Sequence, residues 1–395
     1  MPFHVGIRKP GLHRQKTNLL KGAIQGILAG IIICTMTNCN QGHTGSSQAT
    51  GWEWSELRPI PDSIGFAGSF TGVSEGALMV AGGANFPNGG TPWNGGTKKW
   101  YDHIYVLETD ASEWKMAGKL PIPLGYGVSV TTSDGWLLIG GSNEEGHSNK
   151  VWRLRYQNGF VVYDSIPSLP FPLANACGAL VDQTVYIAGG IKTADDKETS
   201  SVFLSLNLAD ISSGWRSLAA WPGPSRMLSV AAADNHSFFL FSGAQLVNGQ
   251  RVYLKDAYRY EPGRGWSQLA DMPHSTVAAP SPGWVGNSRA IYLFGGDDGQ
   301  LAARSSELRE RHPGFSSDIL SYSPDQDSWS IAATIPTRIE KDAVAVPNNS
   351  VWAPVTTGMA VWNQQLVFPG GEVRPGTRTP RVLIARPIDS THTTK

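Results

Sequence analysis

The chain has 395 residues, a formal net charge of zero and only 16% charged residues, so it lacks the basic face that a nucleic-acid partner requires. Its 45 glycines, 26 prolines and 14 tryptophans suit an all-β repeat with many turns and a recurring aromatic anchor. Repeat folds reach this length as one unit.

The first forty residues differ from the rest. Lys9, Arg14, Lys16 and Lys21 are basic, and no acidic residue occurs before Glu53. The apolar stretch from Ala23 to Cys34 is too short for a comfortable membrane span, and the whole has the shape of a secretory signal with a long basic start. Met36-Thr37-Asn38-Cys39 resembles a bacterial lipobox with Cys39 as the acylated residue, although Met36 and Asn38 depart from the usual aliphatic and small choices. A lipoprotein signal over 1–39, a plainly cleaved signal and an uncleaved anchor are the open readings, and the first is adopted. Residues 40–50 read as a flexible tether, 51–388 as the folded domain and 389–395 as a disordered tail. The expected location is the periplasm or outer membrane, with membrane contact only through the lipid. A chain trimmed at Cys39 keeps one thiol, Cys177, in an apolar small-residue run. It reads as a buried structural cysteine, with no disulfide or Cys-rich metal site.

From residue 51 on, six apolar runs end in a Gly pair or a near copy: at Gly83, Gly141, Gly190, Gly243, Gly296 and Gly371. Their spacing, roughly 50–75 residues, is that of kelch-type propeller blades. Each of the first five is followed by an aromatic strand and a proline: Trp114 and Pro121, Phe160 and Pro167, Trp215 and Pro222, Trp266 and Pro273, Trp329 and Pro336. Trp54 and Pro61 form a sixth such unit with no Gly pair before it, and Gly370-Gly371 has no such strand after it. Joining these two pieces gives a six-bladed β-propeller of four-stranded antiparallel blades in which the N- and C-terminal strands close one blade. Closure removes the free edges of an open ring. The glycines are expected where strands converge on the channel, and the tryptophans between blades. Residues 191–200 and 297–317 read as insertions, with a short helix over 305–311.

A propeller's site usually lies at one mouth of its channel. The segments after the Gly pairs offer Asn85, Phe86, Asn143, Glu144, Asp297, Glu372, Arg374 and Arg378; those after the prolines offer Phe66, Tyr126, Arg226 and Arg338. Glu372 stands out, because the other five repeats place Ala84, Ser142, Ile191, Ala244 and Asp297 at its position. A carboxylate beside an apolar channel must be paired or used. A structural ion pair with Arg374 or Arg378 and a functional role both stay open. The loop over 85–100 reads equally as a lid or as a surface loop. Ser323–Trp329 has a passing likeness to a sialidase Asp box but is better explained as the turn before Trp329. The histidines show no metal spacing, and neither a metal nor a cofactor is expected.

Gly370-Gly371-Glu372-Val373-Arg374-Pro375-Gly376-Thr377-Arg378-Thr379 resembles the Gly-Glu-x-x-Pro-Gly-x-Arg-Thr segment of the bacterial N-acetylneuraminate epimerases, the sialic acid mutarotases. Ala81–Phe86, Gly125–Ser129 and Phe66–Gly68 add to the likeness, which spans about residues 52–388. The Glu-bearing blade lies mid-chain in the enteric form and last here, so the order resembles the cyclically permuted branch. The resemblance implies interconversion of the α and β anomers of free N-acetylneuraminate, a carboxylate substrate, without a cofactor. Glu372 carries over as acid/base and Arg378 as its partner, with substrate contacts expected from Arg226, Asn85, Tyr126, Arg374 and Glu144. A carbohydrate-binding propeller without catalysis and an epimerase for another sugar are the competing readings.

Overall fold

A computed structural model describes residues 51–87 and 90–388. The signal over 1–39, the acylation of Cys39, the tether and the tail at 389–395 lie outside the described residues. Six four-stranded antiparallel sheets follow one another along the chain. Blade 1 comprises Phe70–Ser74, Ala77–Ala81, His103–Leu107 and Lys115–Lys119. Blades 2 to 5 repeat the pattern from Val128–Thr132, Cys177–Val181, Val230–Ala233 and Trp284–Val285 onward. Blade 6 is built from Ala360–Trp362, Gln365–Pro369 and Val382–Ile388, with Gly51–Leu57 as its outer strand. That last strand pairs antiparallel from Gly51↔Ile388 to Leu57↔Val382, so the first and last described strands close one blade as the sequence reading expects.

The core is divided among the blade interfaces. Phe70, Met79, Trp136 and Leu154 fill the gap between blades 1 and 2, and Phe203, Trp221, Phe238 and Tyr258 that between blades 3 and 4. Leu57, Val80, Leu107 and Ile384 fill the closing interface of blades 6 and 1. The inner strands therefore alternate their side chains between two neighbouring interfaces, which is why they read as nearly continuous apolar runs. Repeated indoles tie the blades together. The Nε1 groups of Trp114, Trp215, Trp266 and Trp329 donate to the carbonyls of Arg58, Pro167, Ala219 and Ala270, each on the segment leaving the preceding blade, at 2.8–2.9 Å. Phe160, grouped with them by sequence, is 70% exposed and makes no such tie.

Around the channel the backbone closes a second, smaller ring. Gly68, Tyr126, Asn175, Leu228, Ala278 and Thr356 precede the six inner strands, and all have φ between 49° and 67°. The amide of each donates to the carbonyl of the one before: Tyr126 to Gly68, Asn175 to Tyr126, Leu228 to Asn175, Ala278 to Leu228, Thr356 to Ala278 and Gly68 to Thr356, at 2.6–2.9 Å. Five of the six are not glycine. The left-handed conformation costs each of these about 1–2 kcal/mol, and the shared hydrogen bonds hold it in place.

The residue before each ring position bridges the residue after a Gly pair: Ala67↔Ala84, Gly125↔Ser142, Ala174↔Ile191, Met227↔Ala244, Val277↔Asp297 and Val355↔Glu372. These bridges establish that the six post-Gly positions are equivalent in space. The Gly pairs also need positive φ, as at Gly82 (64°) and Gly83 (90°), and a Cβ on Gly82 would stand 2.1 Å from the Leu124 carbonyl.

Candidate active site

The segments that follow the Gly pairs rise over one mouth of the channel and enclose a cavity of about 1100 Å3. Blades 1, 2, 4 and 6 each fold this segment into a hairpin, with strands Ala84–Asn85 and Lys99–Trp100, Ser142–Asn143 and Gly146–His147, Ala244–Val247 and Gln250–Tyr253, and Glu372–Arg374 and Thr377–Arg378. In the last of these Glu372 and Arg378 are cross-strand partners, so a six-residue separation becomes side-by-side placement. Pro375 and Gly376 make the turn between them, with Gly376 at φ 76°.

Glu372 is held by its own hairpin. Its Oε1 accepts the Gly376 amide at 2.7 Å, while Oε2 lies 3.7 Å from Arg378 Nη2; the side chain is 19% exposed to the cavity. Arg378 is 4% exposed, and its guanidinium lies over the Phe86 ring at 4.7 Å. Its Nε and Nη1 are buried without a hydrogen-bond partner. Burial opposes its charge, but Glu372 and then Tyr126 outweigh that and raise its pKa, so it remains a guanidinium. In blade 5, Asp297 occupies the position of Glu372; it accepts from the Tyr253 hydroxyl at 2.7 Å and the Gly299 amide at 3.0 Å. Burial, then this hydrogen bond, raises the pKa of Tyr253 and keeps it protonated.

Of the site residues expected from sequence, Glu372, Arg378 and Tyr126 line this cavity, as do Phe86 and Asp297. Three expected substrate contacts, Arg226, Asn85 and Arg374, are buried and committed elsewhere. Arg226 is fully buried: Nη2 meets Asp256 at 2.6 Å, Nη1 and Nε donate to the Ser242 and Pro224 carbonyls, and Trp221 and Tyr258 cover its faces. The reason is register. The carbonyls of Phe66, Leu124, Leu173 and Arg226 accept equivalent Gly amides, so Arg226 matches three buried apolar residues and sits two before the ring position, where Tyr126 stands. Asn85 is also fully buried, bonded to the Gly65 carbonyl and the Tyr101 hydroxyl. Arg374 is 2% exposed and points away from the cavity, donating to the Glu310 carbonyl at 2.5 Å. Glu144 is exposed in the turn between Ser142–Asn143 and Gly146–His147. Arg338 is likewise exposed, paired with Glu340.

The structure adds residues that the sequence reading missed. Trp100, Arg251 and Tyr253 reach the cavity from the return strands of mouth hairpins, Lys98 from the position just before one, and Asn175 from the ring. The 85–100 loop forms part of the wall. Trp93 donates to Glu310 Oε1 at 2.5 Å, joining this loop to the 297–317 insertion, whose helix spans Ser305–Leu308. Pro92 and Trp93 also pack on Gly376. Among the described residues, no group of three His, Cys, Asp or Glu side chains is placed to hold a metal ion.

Fold and site together define a six-bladed β-propeller with a carboxylate–guanidinium pair at one mouth. The solved structure of YjhT superposes with a TM-score of 0.59 at 15% identity, covering 86% of this chain and 99% of that one. The sequence model of the N-acetylneuraminate epimerase family matches residues 26–162 and 166–305, and the chain belongs to that family. Lys98, Tyr126 and Tyr253 fall inside the match; Glu372 and Arg378 lie beyond it. An N-acetylneuraminate epimerase of Yersinia pestis (strain Pestoides F) is 38% identical over 133 residues, 29% of this chain and 33% of that one. One from Haemophilus influenzae (strain PittEE) is 28% identical over 241 residues, 54% and 57% of the respective chains. The match thus spans about a third of the Yersinia relative and just over half of the Haemophilus one.

Proposed function

We propose that this protein is a mutarotase that interconverts the α and β anomers of free N-acetylneuraminate. The observation that carries the reading is the Glu372–Arg378 pair. One carboxylate oxygen is pinned by Gly376, and the other lies beside a buried guanidinium in the wall of a cavity large enough for a sugar. Family membership supports the choice of sugar.

Ring opening removes the proton of the anomeric hydroxyl, breaks the bond between the anomeric carbon and the ring oxygen, and places a proton on that oxygen. Reclosure on the other face of the resulting ketone reverses these transfers. Glu372 takes the first proton and returns it to the ring oxygen, so one positioned carboxylate serves both directions. Arg378 stabilises the negative charge that passes over the reacting oxygens. The test is proton NMR of freshly released α-anomer: equilibration faster than in buffer supports the reading, and equilibration at the buffer rate with folded protein refutes it.

The same reading places the protein outside the cytoplasm, in the periplasm or on the outer membrane with a lipid on Cys39. The basic start, the short apolar stretch and the Cys39 motif support it. Loss of membrane fractionation in Cys39→Ser is the expected result; an unchanged distribution contradicts acylation there.

A further inference from the structure

Two cations, Lys98 and Arg378, line the cavity wall together with Tyr126. Lys98, the residue before the return strand of the blade 1 hairpin, holds its Nζ 5.0 Å from the centre of the Tyr126 ring. Arg378 comes from the blade 6 hairpin and is coupled electrostatically to the same tyrosine. Several of their donors are unused. Arg378 Nε and Nη1 and the Tyr126 hydroxyl are buried without hydrogen-bond partners, and Lys98 has no carboxylate partner among the described residues. The one carboxylate near Arg378, Glu372, is 3.7 Å away and bonded to Gly376.

Leaving a buried guanidinium with unused N–H groups is costly, and an anion that accepts from them removes the cost. The acids on other parts of the wall, Asp297 of blade 5 and Asp196 after the third Gly pair, repel an anion and suit hydroxyl donors instead. We propose that Lys98, Tyr126 and Arg378 form a carboxylate subsite, which on the mutarotase reading binds the acid group attached to the anomeric carbon. Because Arg378 is the cross-strand partner of Glu372, a carboxylate held there brings the adjacent anomeric carbon to the acid/base. The site then selects sugar acids with the carboxylate next to the reacting centre and discriminates against neutral sugars of the same shape.

Calorimetric binding of N-acetylneuraminate and of its methyl ester, to wild type, Lys98→Met and Tyr126→Phe, tests this without relying on turnover. Lys98 is half-buried on a hairpin and Tyr126→Phe keeps the ring backbone; thermal unfolding confirms that each variant folds. Wild type should bind the acid about tenfold more tightly than the ester, the scale of a charge-assisted hydrogen bond, and Lys98→Met should lose most of that preference while moving ester binding far less. Equal binding of acid and ester by wild type, or an undiminished preference in both folded variants, overturns the subsite. Acid preference without mutarotation refutes the functional reading and leaves the subsite standing.

Discussion

Arg226→Met separates a structural arginine from a substrate-binding one. The wild-type guanidinium donates to Asp256, Ser242 and Pro224, and the Arg226 backbone carbonyl accepts the Gly190 amide across the interface of blades 3 and 4. Methionine keeps the stem but leaves Asp256 with only the Tyr258 hydroxyl, and its Oδ1 is already buried without a partner. Breaking one side of a buried ion pair costs about 3–5 kcal/mol. A folded domain of about 340 residues has an unfolding entropy near 0.7 kcal/mol/K, so the midpoint should fall by about 4–7 °C. Differential scanning calorimetry reads the shift, and the rate of anomer equilibration reads the site. The double variant Arg226→Met, Asp256→Leu should recover part of the loss, because no unpaired charge is left. An undiminished midpoint combined with a large rise in KM would refute the reasoning, since only contact with the sugar produces that pattern.

Burial pushes the Cys177 thiol up to about 12, so in a chain with Cys34 and Cys39 replaced by serine no thiol should react with a disulfide reagent at pH 8 until denaturant is added. Burial also pushes His147 and His312 below the ordinary histidine value. The native state then binds fewer protons than the unfolded chain, so the stability they contribute is complete above about pH 6.5 and is lost as pH falls through their native values. Denaturant unfolding from pH 8 to 5 should show that decline, at most about 1.4 kcal/mol per pH unit for each histidine, and His147→Gln with His312→Asn should flatten it. Trp93→Phe removes the donor to Glu310 that links the 85–100 loop to the insertion holding Arg374; kcat should drop several-fold with less than about 1.5 kcal/mol lost in stability, and unchanged kcat would show that this brace does not position Glu372.

What could be read from the sequence was whatever repeats, or breaks the repeat. The Gly pairs and tryptophans occupy equivalent places because each serves a contact made once per blade, and the unmatched units at the two ends pointed to the closing blade. Glu372 was visible as an exception among equivalent positions, an alignment that the six isolated bridges support. Polar residues beside a Gly pair proved misleading. Asn85 has the chemistry of a mouth residue, yet its amide is consumed by Gly65 and Tyr101, which approach only in the folded ring. Arg226 failed by a register error of two residues, enough to turn a side chain from the mouth to a blade interface. Lys98 and Tyr253 were missed because hairpin return strands and the residues just before them carry no repeated signature, and their place depends on hairpin lengths that differ among blades.

The central claim is that Glu372 moves the proton. Exchange NMR at equilibrium reads the α-to-β rate directly, from cross-peaks between the two anomers with wild-type protein and with Glu372→Gln, which keeps the acceptor oxygen for Gly376 while losing the base. The account predicts catalysed exchange in wild type and a loss of at least about a hundredfold in the variant, with the midpoint of unfolding nearly unchanged. Exchange that persists undiminished in folded Glu372→Gln would contradict it and assign the proton transfer to another group.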